Sequence, residues 1–269
     1  MILGNDLSVF QGYVDWDTFK NNANFAFIKA SEGDGFIDPQ FSRNQAESRR
    51  VGLLRGYYHF ARPDLHNAAD AEAAFFLQTL GQLQEGEVLA LDFEVTYNDS
   101  VSWCKIFLDY INANTGVKAL VYLNQSLATS FNWQDVVSGG YGLWIAAYTY
   151  DPHTNTFQTG AWQEATMQQW TDKQQVPGIS GDVDGDVFFG DATAFQKYGY
   201  HQVVTPDPLA SCLQQNDDLS KEVQKANMKI NDLQSQLNAC INKPPVVITP
   251  PSPGKLVFTF GKYDVYQRS

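Results

Sequence analysis

The sequence predicts an α/β fold: an irregular (β/α) barrel of the TIM-like kind over residues 1–205, followed by a coiled-coil helix and a short β tail. Two observations carry the barrel. Up to about residue 200, short apolar runs alternate with segments of helical periodicity, a pattern that favours parallel strands joined by right-handed crossovers. About eight such runs fall within that span, the strand number of a closed β/α barrel. A third observation sets the boundary. After Pro206-Asp-Pro208 the chain turns polar, with neither Gly nor Pro between 209 and 241.

The strand candidates, in order, are 2–6, 25–30, 53–60, 88–93, 119–123, 142–148, 167–171 and 183–189. Between them, 38–51, 67–83 and 100–114 have the spacing of helices. In 67–83 the residues Ala71, Ala74, Phe75, Leu77 and Leu80 share one face, and Gly81 supplies a stop. The helix over 100–114 starts at Asp99 or Ser100, both capable caps, and stops at Asn114-Thr-Gly116. Helical patterns are scarce between 123 and 189, so the helices there are short or missing.

Residues 209–242 fit a heptad frame. Leu209, Asn216, Val223, Ile230 and Leu237 fall at a, and Cys212, Leu219, Ala226, Leu233 and Cys240 fall at d. A single Asn at an a position fixes register and favours a parallel two-stranded coil, so a homo-oligomer, with a parallel dimer favoured, is expected. In such a dimer Cys212 and Cys240 face their counterparts and could bridge the chains under oxidising conditions. The competing reading is one amphipathic helix packed on the barrel. Residues 243–254 hold a run of prolines that reads as an extended spacer. In 255–269 the alternation of Leu256, Phe258 and Phe260, then Tyr263 and Val265, reads as one or two strands, too few to fold alone.

Composition narrows the function. With 43% hydrophobic and 14% aromatic residues, the chain can bury a sizeable core and is not globally disordered. A formal net charge of −12 argues against nucleic acid or an anionic membrane as partner, since both call for a basic surface. No apolar run reaches the ~20 residues that a membrane span needs. The opening Met1-Ile-Leu-Gly-Asn-Asp6 lacks the basic and long apolar regions of a signal peptide, so residence in the cytoplasm, or release by another agent, is expected. Cys104, Cys212 and Cys240 are too few and too far apart for a zinc cluster; Cys104, among Trp103, Phe107 and Leu108, reads as a buried thiol.

Acidic residues stand out at strand ends, where β/α barrels carry their chemistry. Asp6 ends the first candidate strand, and Asp92 and Glu94 end the fourth, with an i, i+2 spacing that sends both to one face. Asp182, Asp184 and Asp186 surround the last strand at the same period. Acids converging on one mouth suit glycosidic cleavage, in which one carboxyl stays protonated as general acid while others stabilise a cationic sugar. Taken singly, Asp6-Leu-Ser8 is also a turn or cap, and Asp92 with Glu94 also a solvated strand end. Asp182-Val-Asp-Gly-Asp186 lacks the Gly and Glu that a calcium loop needs at its sixth and twelfth positions, where Val187 and Thr193 stand, so no metal is expected. No cofactor motif is present either: there is no phosphate-binding glycine loop, nucleophile elbow or His-Glu-x-x-His. Tyr57, Tyr58, Trp144, Tyr148 and Trp170 lie in or near strand ends and supply faces for sugar rings or ordinary packing, and alternation lets only one of Tyr57 and Tyr58 point inward. His59 either lines the same mouth or satisfies buried hydrogen bonds.

Several blocks, in order, resemble the Chalaropsis-type lysozymes of glycoside hydrolase family 25. They are Asp6-Leu-Ser-Val-Phe-Gln11-Gly12 with Asp15-Trp16, Phe27-Ile-Lys-Ala-Ser-Glu-Gly33 with Asp38-Pro-Gln-Phe41, Gly56-Tyr-Tyr-His-Phe60, Leu91-Asp-Phe-Glu94, Leu143-Trp-Ile-Ala146 and Gly181-Asp-Val-Asp-Gly-Asp186. The likeness runs to roughly Gly199. It implies a muramidase that cuts the β-1,4 bond between N-acetylmuramic acid and N-acetylglucosamine in bacterial peptidoglycan. Glu94 would be the general acid and later base, Asp92 the partner that orients the acetamido group, and Asp6 and Asp184 the rest of the cluster. Tyr58, His59, Trp144, Tyr148, Gln169 and Trp170 would contact substrate. Gln168 departs from the pattern, standing where the family often has Trp. A bacteriophage lysin, released from the host cytoplasm to the wall, is the implied setting; an inactive wall-binding or virion module is the alternative.

Overall fold

The computed structural model describes residues 1–97, 99–154, 156–202 and 208–243, together with the backbone of Phe258–Phe260 and Tyr263–Val265. The chain divides into two compact units, Met1–Val203 and Val204–Ser269.

The first unit is a closed barrel. Its strands are β1 (Ile2–Leu7), β2 (Phe25–Glu32), β3 (Phe36–Ile37), β4 (Leu54–Phe60), β5 (Val88–Asp92), β6 (Leu120–Asn124), β7 (Leu143–Ala146), β8 (Met167–Gln174) and β9 (Val183–Phe188). All but β3, a two-residue flap paired with the end of β2, belong to the barrel wall, and pairing of β1 with β2 closes it. Every expected strand is present. The expectation of parallel pairing holds from β1 through β8 and fails at β9, which runs antiparallel to both β8 and β1. Only residues 175–182 join β8 to β9, fewer than the dozen or so that a parallel crossover requires. The short connection therefore forces the reversal, and the start of β9, not its end, reaches the mouth.

Alternation sorts side chains into two layers. Phe25, Phe27, Tyr58, Val88, Ala90, Leu120, Tyr122, Trp144, Met167 and Phe188 fill the barrel interior, while Ala26, Ile28, Tyr57, Leu89, Leu91, Val121, Leu123 and Ile145 face the helices. Phe27 is wholly buried, a contribution of about 2–3 kcal/mol. Its ring occupies the space above Gly56, where a Cβ would lie 2.3 Å from Phe27 Cε1, so that glycine makes room for the interior packing. Phe195, on the short helix Ala192–Lys197, packs tilted against Phe25 and edge-on against Phe27 and Phe188 and plugs the end opposite the site.

The outer helices of the first half are α1 (Trp16–Phe19), α2 (Phe41–Arg50), α3 (Ala69–Leu80) and α4 (Ser100–Thr115). α3 ends at Gly81 with φ 64° and α4 at Gly116 with φ 76°, backbone that favours glycine. The N-terminus of α4 differs from expectation. Asp99 is the cap position but makes no side-chain cap bond, and the Ser100 hydroxyl donates instead to the Tyr97 carbonyl at 2.6 Å. In the second half only α5 (Gln125–Ser130) and α6 (Gln134–Ser138) separate β6 from β7, and no helix among the described residues separates β7 from β8.

The second unit contains α7 (Pro208–Ile241), 34 residues long, and a hairpin of β10 (Phe258–Phe260) with β11 (Tyr263–Val265). At 1.5 Å per residue α7 extends about 50 Å. Its apolar a and d side chains are exposed, among them Leu219 at 58%, Ile230 at 50% and Leu233 at 51%. Leu209's side chain and the proline-rich stretch from 244 to 257 lie outside the described residues.

Candidate active site

Three separated stretches bring carboxyls to one mouth. Asp6 is the penultimate residue of β1, Asp92 ends β5 with Glu94 two residues on, and Asp184 is the second residue of β9. In the antiparallel pair, Asp184 stands directly opposite Asp6. All four line a cavity of roughly 250 Å³, with Tyr58, Trp144, Tyr148 and Gln169 among its walls.

Two motif blocks build the rim rather than the chemistry. Ser8 and Gln11 form a capping box: the Ser8 hydroxyl accepts from Phe10 N, and Gln11 Oε1 accepts from Ser8 N at 2.8 Å. The Asp38 carboxylate then accepts from Val9 N and Gln40 N, each at 2.8 Å, and ties this turn to the start of α2. The turn carries Phe10, 87% exposed, onto the cavity edge.

Gln169 organises the floor. Its Nε2 donates to Asp6 Oδ2 at 2.8 Å, while its Oε1 accepts from the Tyr122 and Tyr148 hydroxyls at 2.9 and 3.1 Å. Its amide thus orients Asp6 and two phenols. Trp144 is buried at the base, packed edge-on to Tyr58 and Tyr122, and its indole N–H donates to Asp186 Oδ1 at 2.9 Å. Tyr148, 45% exposed, offers its ring at the rim.

Two residues expected to contact substrate are not among those lining the cavity. His59 is wholly buried on the helix side of β4; its Nδ1 pairs with Ser31 Oγ at 2.8 Å and its Nε2 with Glu72 Oε2 at 2.9 Å, and its ring stacks on Phe107. Tyr58 precedes it and points inward, so alternation turns His59 out. Trp170 is likewise absent from the cavity wall, because Gln169 holds the inward position on β8. Gln168 also faces away: its Nε2 donates to the Ala147 carbonyl and Thr149 Oγ1, bracing the loop that carries Tyr148. The departure at Gln168 therefore removes no aromatic from the cavity wall.

Sequence reasoning missed Lys29 and Tyr122. Among the described residues, Lys29 is the one cation on the cavity wall, held by Glu32 Oε2 at 2.8 Å above the Phe60 ring. Period two from the interior residues Phe25 and Phe27 reaches Lys29, and from Leu120 it reaches Tyr122, so parity was the available signal.

Burial and crowding raise the proton affinity of this cluster. Burial, then the facing Asp184, pushes Asp6 up to about 8. Burial, then Asp172, pushes Asp184 to about 6. Burial and the adjacent Glu94 hold Asp92 well above the carboxylate range, and partial enclosure raises Glu94. Asp92 and Glu94 are adjacent and both have raised proton affinity, so the pair holds a proton more tightly than free carboxylates do. Glu94, the exposed member, is the one placed to hand a proton to a bound molecule.

A family model of glycosyl hydrolases family 25 matches residues 5–179, a span that holds Asp6, Asp92 and Glu94 and stops short of Asp184. The uncharacterized protein YegX of Escherichia coli strain K12 is 34% identical over 212 residues, 73% of each chain. The crystal structure of the bacterial lysozyme from Streptomyces coelicolor is similar with a TM-score of 0.63 at 25% identity, over 74% of this chain and 96% of that one. The CTP1L endolysin structure matches with a TM-score of 0.63 at 30% identity, over 73% of this chain and 70% of its own. Fold, ordered blocks and family match agree, and the chain belongs to glycosyl hydrolases family 25.

Proposed function

We propose that the chain is an N-acetylmuramidase that hydrolyses the β-1,4 bond between N-acetylmuramic acid and N-acetylglucosamine in bacterial peptidoglycan. One observation carries the reading: Asp6, Asp92, Glu94 and Asp184 line a single aromatic-walled cavity at the mouth of the barrel. Glu94 gives its proton to the glycosidic oxygen as the bond from the sugar's anomeric carbon breaks. Asp92 steers the 2-acetamido group of the sugar that becomes cationic, and Asp184, which ionises before its neighbour Asp6, adds negative potential. Glu94, now a carboxylate, removes a proton from the water that completes hydrolysis. Tyr58, Tyr148 and the edge of Trp144 meet the sugar faces. An inactive wall-binding module has no need of a proton-holding pair beside an open cavity, and that reading is not favoured.

The likeness to the CTP1L endolysin supports a bacteriophage lysin acting at the bacterial wall. The exposed heptad stripe of α7 supports pairing with a second copy over 209–242 as a parallel coiled coil.

The test is digestion of purified peptidoglycan by the unmutated chain and by Glu94→Gln, with identification of the new reducing ends. Muramic acid ends that fall by roughly 10²–10⁴-fold in the variant are expected. No release by the unmutated chain would end the proposal, and near-normal release by Glu94→Gln would remove Glu94 from its role.

A further inference from the structure

A fifth carboxyl lies beneath the four that line the cavity. Asp186 is wholly buried in the barrel interior and is not part of the cavity wall. Period two along β9 puts it on the same face as Asp184, one step deeper. Its Oδ1 accepts from the Trp144 indole, while its Oδ2 is buried with no donor directed at it. The neighbouring polar group is the carboxyl of Asp6, which faces Asp184 across the β1–β9 pair and so lies one step along the same interior face. Two neighbouring carboxyls can share a hydrogen bond only when one of them carries a proton, and the sealed one, Asp186, is the costlier to ionise.

We propose that Asp186 is a positioning residue of the site: a neutral acid under the cavity floor that donates its proton to the Asp6 carboxyl, fixing it from below as Gln169 fixes it from the side. The proposal rests on the muramidase reading only for its effect on activity. Asp6 then has two donors, Gln169 Nε2 and the Asp186 hydroxyl, and both favour its ionised form. The charged and titratable groups facing the pair are Asp184 on β9, Asp92 and Glu94 after β5, Tyr58 on β4 and Tyr122 on β6. Lys29 is the cation of the same wall. Removing a neutral donor raises the proton affinity of Asp6. Removing an ionised neighbour would lower it. The sign of the change therefore reports which form Asp186 takes.

The experiment is a carboxyl ¹³C NMR titration of Asp6 in the full chain labelled at aspartate, with Asp6→Asn to assign the resonance. Asp186→Leu, of similar shape and without a donor, should move the Asp6 midpoint up by about one pH unit. Asp186→Asn, whose amide donates to Asp6 and accepts from Trp144, should leave it within a few tenths. If the leucine variant does not fold, Asp186→Ala serves with the same expected direction. An unchanged or lowered midpoint in Asp186→Leu would overturn the proposal, as would a fall in Asp186→Asn. On peptidoglycan, the acid limb of kcat/KM should move with the midpoint in Asp186→Leu, with kcat restored by Asp186→Asn. If the unmutated chain releases no glycan, the muramidase reading fails while the titration still judges the pair.

Discussion

Replacing Asp6 by Asn should stabilise the barrel in a pH-dependent way. Folded, Asp6 titrates near 8 against an ordinary 3.8, because it is buried and faces Asp184. Between those values the folded state keeps a proton that the unfolded state has released, so stability falls as pH rises. The contribution is complete below the unfolded value of 3.8 and is lost as pH passes through 8. A rise of about four pH units at 1.36 kcal/mol each sets a ceiling of about 5 kcal/mol. Asp184 and Asp186 titrate with Asp6 and share the cost, so about 2–3 kcal/mol is the expected part of this single site. The Asn amide keeps an acceptor for Gln169 Nε2 and fills the same volume, so no cavity opens. Urea unfolding followed by tryptophan fluorescence should give equal stabilities near pH 3.5. By about pH 8.5 the variant should be ahead by about 2–3 kcal/mol, with a melting point higher by about 5–10 °C. A difference that stays flat with pH, or an unmutated chain that is the more stable at high pH, would refute the reasoning.

Other outcomes follow from the same geometry. Glu72→Ala strips the acceptor from His59 Nε2, Arg62 N and Asn67 Nδ2, and should cost about 3 kcal/mol in urea unfolding. Because this network faces the helices, kcat of the folded variant should stay within about threefold; a far larger loss would return His59 to the substrate side. Tyr148→Ala removes a rim ring and should lower kcat/KM by about tenfold, whereas Trp170→Ala, off the cavity wall, should change it by less than about threefold. Ile230→Lys with Leu233→Lys places charge on the exposed stripe of α7 and should halve the mass measured by light scattering, leaving turnover of short glycan fragments unchanged. Equal masses for the two proteins would dismiss the coiled-coil dimer.

Much of the fold could be read from the sequence, because a barrel strand buried on both sides must be a short apolar run and its crossover must be amphipathic. What escaped was information carried by parity and by loop length. Eight apolar runs look alike whichever way they run, and only the brevity of 175–182 betrays the reversal of β9. The site shows the same limit. Tyr58 and His59 are adjacent polar-tipped rings at one strand end, yet one lines the cavity and the other is sealed against Glu72 and Phe107. Both faces of β4 are buried, so no hydrophobic alternation marks the inner one. The four mouth acids were legible because nothing apolar explains them. Asp186 was legible as an acid, but not as one lying below the others.

The ordered motif blocks consequently mix two kinds of residue. In Asp6-Leu-Ser-Val-Phe-Gln11 only the first residue enters the acidic cluster; Ser8 and Gln11 close a capping box that turns the chain away from β1. Asp38 grips that turn, and Gln169 holds Asp6 and two tyrosines with a single amide. Such scaffolding has a physical purpose. A cluster of carboxyls with one cation on its wall repels itself, and the excess proton affinity of Asp6, Asp92 and Asp184 measures that repulsion together with burial. A flexible site would relieve the strain by swinging carboxylates into water, and the acid would be lost near neutral pH. The capping box, the glutamine and the buried tryptophan prevent that relief, so the proton stays where a glycosidic oxygen can take it. Stability given up in the cluster is the source of the acid, which is why an amide at Asp6 should strengthen the fold while weakening the chemistry.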